Sequence, residues 1–208
     1  MKKKIIITGG LGYIGTELCK LYSGYSWNDE IIVIDNRFIS ERVNQLRNWN
    51  INFIQGDILD KDLINKYFKD ADVVHHLAGI TDVPRIKSEA TSVKDEKIKE
   101  VGEKGTQNIL DVIGDKCKII FPSTHVVYEG INEDQLKKSG KNYVILRLGS
   151  VYGYSTDSMR IDIMPNLFSK IASQNGTLKL FAGGRQIKSL VPLIDVARCF
   201  KFMEEKNE

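Results

Sequence analysis

The stretch "KIIITGGLGYIG", Lys4 to Gly15, decides how the chain is read. Its β-branched run is apolar on both faces, which suits a strand covered from both sides, as in a parallel sheet. The glycines that follow open a segment with helical periodicity over about residues 12 to 23. Gly10, Gly12 and Gly15 satisfy G-x-G-x-x-G, and Gly9, Gly12 and Gly15 satisfy the wider G-x-x-G-x-x-G. In such a loop one glycine makes a tight turn, one lets backbone approach a pyrophosphate, and one lets helix pack closely on strand. The helix N-terminus then offers unpaired N–H groups and partial positive charge to phosphates. The bland alternative is a turn that serves packing alone, and it predicts no ligand.

A carboxylate answers the loop. Asp35 ends the next apolar run, "IIVID", about 20 residues past the last glycine, where an acidic side chain can bind adenosine ribose hydroxyls. The same charge would repel a 2′-phosphate, so NAD is expected rather than NADP. Arg37 stands beside it and could pair with that phosphate, or be a solvated loop cation.

Further apolar runs are "INFIQ" (51 to 55), "DVVHHLA" (72 to 78), "CKIIFPS" (117 to 123) and "NYVILRLGSVY" (142 to 152). Helical patterns lie between them, near 40 to 48, 60 to 69, 96 to 113 and 131 to 139. Such alternation predicts an α/β fold with a doubly wound parallel sheet of the Rossmann type. Beyond Gly153 the rhythm changes to a helix (159 to 174), a short strand "LKLFAGG" and a last helix (195 to 204). The expected organisation is a dinucleotide-binding domain over 1–153 and a truncated second lobe over 154–208.

Composition narrows the function classes. The 208 residues are 42% hydrophobic and 27% charged, enough for a full core in an ordinary soluble protein. Subtracting 27 acidic from 30 basic residues leaves +3, scattered apart from Lys2, Lys3 and Lys4, too weak for nucleic acid or a membrane surface. No apolar run reaches the roughly 18 to 20 residues of a membrane span, and "MKKKIIITGG" meets glycine too early for a secretory signal. A cytoplasmic protein is expected. Cys19, Cys117 and Cys199 have no C-x-x-C spacing and are read as reduced core thiols. His75 and His76, adjacent on a strand, should face opposite sides of the sheet as buried, hydrogen-bonded side chains. His125 could point into a cleft but has no acidic partner at a diagnostic spacing, and no metal is implied.

Taken in order, "TGGLGYIG", "QGDILD", "HHLAGITDV", "KGTQNIL", "FPSTHVVYEG", "LRLGSVYG" and "LFAGGRQIKSLVPLIDVAR" span nearly the whole chain. In this series the chain resembles the extended short-chain dehydrogenase/reductase family, in particular its NAD-dependent nucleotide-sugar epimerases and dehydratases. The resemblance implies cofactor contacts from Gly9, Gly12, Tyr13, Ile14, Gly15, Asp35 and Asn36. Asp57 and Ile58 would contact the adenine, and Leu77, Ala78 and Gly79 would lie along the cofactor. Thr124 matches the catalytic Ser or Thr that holds the reacting hydroxyl. Ser150 replaces a usual asparagine, and Lys188 stands where an arginine commonly meets the nucleotide diphosphate; both would bind substrate. Asp195 takes the usual aspartate position and reads most simply as the N-cap of the last helix. A homodimer through a helix pair is also implied, by resemblance alone.

One expected pair is missing. The family carries Y-x-x-x-K on the helix between strands five and six, where residues four apart share a face. There the lysine helps lower the tyrosine's pKa, so that a phenolate can remove a substrate proton. Tyr143 and Arg147 have the spacing but fall in a strand pattern, which separates them by roughly 13 Å. Tyr128 with Asn132 and Tyr152 with Thr156 supply no pair either. The crossover reads as though a block were cut between Gly130 and Ile131, and the chain stops early in the substrate lobe. Turnover is therefore expected to be severely impaired, and a catalytically silent NAD-binding sensor or scaffold is the second reading.

Overall fold

The computed structural model describes residues 2–24, 28–80, 92–124, 130–155 and 158–206. The apolar runs become six parallel strands: β1 (Lys4–Thr8), β2 (Glu30–Asp35), β3 (Asn52–Gln55), β4 (Val73–His76), β5 (Lys118–Thr124) and β6 (Asn142–Leu148). Their order is β3-β2-β1-β4-β5-β6, the doubly wound arrangement with a switch beside β1. β1 is central because it is apolar on both faces. Ile5 and Ile7 pack with Leu18 of α1 (Tyr13–Ser23), Val43 of α2 (Ser40–Asn48) and Phe200 of α7 (Leu193–Met203). Ile6 turns the other way, toward Ile64 and Phe68 of α3 (Lys61–Phe68), Ile109 of α4 (Ser92–Val112) and Leu136 of α5 (Gly130–Lys138).

The two histidines divide as expected. His76 Nδ1 lies 3.0 Å from Thr8 Oγ1 and its Nε2 lies 2.9 Å from Thr106 Oγ1, while burial pushes its pKa down to about 4. On the opposite side, His75 Nε2 is 2.9 Å from Glu204 Oε1, which also accepts from the Tyr22 hydroxyl. Burial acts to raise the Glu204 carboxyl, yet donors from His75, Lys201 and Tyr22 hold it below its usual value. Lys118 Nζ donates to the carbonyls of Met203, Glu204 and Lys206, satisfying the end of α7. Cys19 and Cys117 are buried free thiols, and burial raises both, Cys117 to about 12. Cys199 is only half-buried, so it is not a core thiol.

The later chain departs from expectation in four places. The run 142 to 152 is two strands, broken at Gly149, where a Cβ would lie 2.7 Å from the Ser189 carbonyl oxygen. Its second part, β7 (Ser150–Tyr152), leaves the main sheet and pairs in parallel with β8 (Leu190–Pro192). "LKLFAGG" is not a strand: Phe181–Gly184 forms a 3-10 turn, with Gly183 and Gly184 at φ of 65° and 69°. Finally, Asp195 does not cap α7, whose N-cap is Pro192. It lies in the first turn, favourable to the helix dipole, with Arg198 Nη1 at 3.2 Å. α6 (Met164–Ser173) starts later than its pattern suggests, with a proline in its first turn.

The hurried crossover closes the sheet. β5 and β6 keep register from Lys118↔Asn142 through Thr124↔Leu148, bridged by the nine-residue α5. Ser123 and Arg147 are register partners, and both bind Glu133 of α5. Ser123 Oγ donates at 2.6 Å, Arg147 Nε at 3.0 Å and Arg147 Nη2 at 2.6 Å. Tyr143 and Arg147 both sit on β6, so their spacing forms no helical pair. Among the described residues no helix is long and apolar enough to cross a membrane, and no cluster could hold a metal ion.

Phe200 is fully buried where α7 meets α1 and β1. Phe200→Ala should lower unfolding free energy by about 3–5 kcal/mol in denaturant titrations. The Arg147 hydrogen bond, followed by that of Ser123, holds the Glu133 carboxyl down to about 2 from 4.5. Its stabilisation is fully present above the unfolded value and is lost as pH falls from about 4.5 toward 2. Glu133→Gln should flatten the acid limb of stability across that window.

Candidate functional site

The site begins where β1 ends. Gly9 has φ of +67°, and its N–H donates to the Ile34 carbonyl at 2.8 Å. A Cβ there would lie 2.8 Å from the backbone of Leu77 and Ala78. At Gly15 a Cβ would lie 2.6 Å from Gly10 Cα and the Gly9 carbonyl oxygen, so the first turn of α1 folds directly onto the loop. Gly12 occupies the N-cap position and supplies no side-chain cap, and the first turn holds no acidic residue. The positive end of the helix is thus left bare at the loop.

The loop is tied on three sides. Asp35 Oδ2 accepts from Leu11 N at 3.0 Å, and Arg42 Nη1 of α2 donates to the Leu11 carbonyl. Thr8 Oγ1 accepts from Ala78 N at 3.0 Å, fastening the end of β4 to the end of β1. Asp35 is nearly buried, its side chain 3% exposed, and takes three further donors from Arg37: N at 3.1 Å, Nε at 3.1 Å and Nη2 at 3.2 Å. Asn36 Nδ2 donates to Asp57 Oδ2 at 3.1 Å, and Asp57 Oδ1 accepts from Leu59 N at 3.0 Å. Asp57 is therefore the head of a local turn, while the cap of α3 is Asp60. Ile58 is buried, filling the space left by Gly105 of α4.

Gly9, Gly12, Gly15, Asp35, Asn36, Asp57, Ile58, Leu77, Ala78 and Gly79 are thereby gathered at the C-terminal ends of β1 to β4. Ile14 packs against the core below the loop. Tyr13 is turned elsewhere: its hydroxyl donates to the Gly153 carbonyl at 2.5 Å and accepts from Asn166 Nδ2 at 3.4 Å. Burial pushes the Tyr13 phenol up. Thr124 is the last residue of β5, opposite Leu148, on the same edge of the sheet. Ser150 opens β7 and pairs with Leu190, and Lys188 is exposed two residues before β8. His125 and Tyr128 lie outside the described residues. Thr8, Thr106 and Arg42 escaped the sequence reading. A hydroxyl closing an otherwise apolar buried strand was the available sign for Thr8; nothing comparable marks the other two.

A parallel sheet in this order, a glycine loop feeding a bare helix terminus, and a carboxylate ending β2 define a Rossmann-type dinucleotide-binding domain. The chain belongs to the 3-beta hydroxysteroid dehydrogenase/isomerase family, whose family model matches residues 6–155, within the extended short-chain dehydrogenases/reductases. It is 34% identical over 132 residues to a UDP-N-acetyl-alpha-D-glucosaminuronate decarboxylase of Bacillus cytotoxicus, covering 62% of this chain and 38% of that one. A CDP-paratose 2-epimerase of Salmonella typhi is 29% identical over 166 residues, covering 74% and 46%. The chain thus spans less than half the length of these relatives. Among solved structures, UDP-glucuronic acid 4-epimerase of Bacillus cereus in complex with UDP-glucuronic acid and NAD superposes with a TM-score of 0.79. It is 25% identical, over 99% of this chain and 74% of that one.

Gly9→Ala should strain the left-handed turn and strike the β4 backbone. The expected loss is at least about 1–2 kcal/mol in unfolding free energy, read by denaturant titration.

Proposed function

We propose that the chain holds NAD along the C-terminal edge of its sheet and serves epimerase- or dehydratase-type chemistry on a nucleotide-linked sugar in the cytoplasm. The observation that carries this reading is the bare N-terminus of α1, set in a cradle that side chains at Gly9 and Gly15 would fill, with Asp35 and Asp57 beside it. These features fit the coenzyme. Loop N–H groups would hold the pyrophosphate, Asp35 the adenosine ribose, and Asp57 with Ile58 the adenine edge. Leu77, Ala78 and Gly79 would flank the coenzyme where β4 ends.

A bound nicotinamide supplies a hydride acceptor and donor. Of the chain's own residues, Thr124 would hold the reacting sugar hydroxyl, Ser150 would bind substrate, and Lys188 would contact the nucleotide diphosphate. The substrates named for the three relatives above are nucleotide-linked sugars, which supports that class here. The sequence contains no Y-x-x-x-K, and Arg147, the only cation four residues past a tyrosine, is engaged by Glu133. Slow turnover at best is expected from the 208 residues. A homodimer through a helix pair would rest on the family resemblance alone.

Titration calorimetry with NAD should show one site per chain, and saturating NAD should raise the melting temperature. A panel of UDP-, dTDP- and CDP-sugars should then give trace interconversion or NADH release. Binding without any turnover would replace the enzyme reading with a silent NAD-binding module, and absence of binding would reduce the loop to a packing turn.

A further inference from the structure

The N–H groups of Tyr13, Ile14 and Gly15 open α1 and have no acceptor within the helix. Thr16 N is the first to find one, 2.9 Å from the Gly12 carbonyl, while Gly12 N is spent on the Gly9 carbonyl at 2.9 Å. Three donors are therefore left to an anion at the loop. Gly15 has no side chain, and that of Ile14 is held by apolar packing. Tyr13 alone of the three is tied by directional bonds. Its hydroxyl donates to the Gly153 carbonyl at 2.5 Å and accepts from Asn166 Nδ2 at 3.4 Å, and Asn166 Oδ1 accepts from Gly153 N at 3.0 Å. The three residues thus close a ring of hydrogen bonds. The second Nδ2 hydrogen of Asn166 goes to the Arg160 carbonyl at 2.8 Å, so the whole amide is used in a residue only 3% exposed. Gly153 turns both its N–H and its carbonyl into the ring at φ of 136°, a backbone conformation that a side chain would strain. Burial raises the Tyr13 phenol, so the hydroxyl keeps the proton that the Gly153 carbonyl receives.

Resting on the dinucleotide reading, we propose that Asn166 is a positioning residue for coenzyme binding: through the Tyr13 hydroxyl it fixes the direction of the Tyr13 N–H, so that affinity for the pyrophosphate is set from α6. Tyr13 joins the two places. Its N–H is one of the three loop donors, and its hydroxyl is clasped by a residue 153 positions later in the chain. With the ring closed, the first turn of α1 is already ordered when a phosphate arrives, and such preorganisation raises affinity without adding a contact. With the ring open, the ligand itself must order the turn. Coupling of this kind is reciprocal. A coenzyme that binds better to the closed ring must in turn hold α6 (Met164–Ser173) against the start of α1.

The test is calorimetric affinity for NAD in the wild-type chain, Tyr13→Phe, Asn166→Ala and the double variant, with hydrogen exchange of the α6 amides measured with and without NAD. Each single change should weaken NAD by about two- to tenfold, the net worth of one neutral hydrogen bond. The double variant should bind no more weakly than the weaker single one, because both changes open the same ring. NAD should slow exchange across α6 in the wild type and fail to do so in Tyr13→Phe. A residue that served stability alone would lower the melting temperature and leave both readouts as they are. Tyr13→Phe removes a single oxygen from a half-buried ring, so it decides the matter even where Asn166→Ala does not fold. Unchanged affinity in Tyr13→Phe, additive losses in the double variant, or α6 exchange indifferent to NAD would overturn the role of Asn166 alone. Failure of the wild type to bind NAD would overturn it together with the dinucleotide reading.

Discussion

Gly9 approaches the backbone of Leu77 and Ala78 more closely than any residue with a side chain could, and the rest of the site is built around that contact. It sets the end of β1 against the end of β4, so that Thr8 Oγ1 can receive the Ala78 N–H. The same hydroxyl meets His76, whose other nitrogen meets Thr106 on α4. Loop, sheet and the helix behind the sheet are thus joined by one line of buried hydrogen bonds. With its pKa near 4, His76 keeps a neutral ring across ordinary pH, one nitrogen donating and one accepting. Hydroxyls on both sides suit either tautomer, so the line does not break when solution pH shifts.

How much of this was legible in the chain follows from the range of the interactions. β1, β2 and β5 announced themselves because strands covered on both faces need unbroken apolar runs, and "KIIIT" and "CKIIF" can hardly be anything else. The loop glycines and Asp35 were legible because each meets a local geometric demand. "LKLFAGG" misled because its apolar half has strand composition, whereas the glycine pair that curls it carries no apolar signal. The break at Gly149 was invisible for another reason: what stops the strand there is the backbone of Ser189, 40 residues on. The Tyr22–Glu204 contact, across a separation of 182 residues, has no sequence signature at all.

The short crossover shows what a parallel sheet requires and what it can do without. Nine residues of α5 rise about 13 Å, less than the roughly 23 Å of a seven-residue strand. α5 therefore cannot shield the full length of β6, whose residues are half-buried or exposed while those of β1 are mostly sealed. A carboxylate compensates locally. Glu133 gathers Ser123 and Arg147 from neighbouring strands at the edge where Thr124 stands, and fixes the register that a longer helix would otherwise enforce by packing. Arg147 is thereby committed to holding two strands together, which removes it as a partner for any tyrosine.

The orientation of α1 depends on chain that comes much later. Its first residue, Tyr13, bonds to Gly153, while Asn166 of α6 accepts from Gly153 N at 3.0 Å and donates to the Tyr13 hydroxyl. Near its other end, Tyr22 bonds to Glu204 beside His75, in a dry contact where an ionised carboxylate is tolerated only because three donors surround it. A buried ionic group of this kind adds little net stability over apolar packing, but it restricts how the two helices can slide on each other. Fixing both ends fixes where the helix N-terminus points. Its partial charge acts only over the first turn, so the direction of that turn determines what the glycine loop can bind. In this sense the segment after β6 helps set the direction of the glycine loop, and a chain ending at β6 would keep the loop but lose its aim.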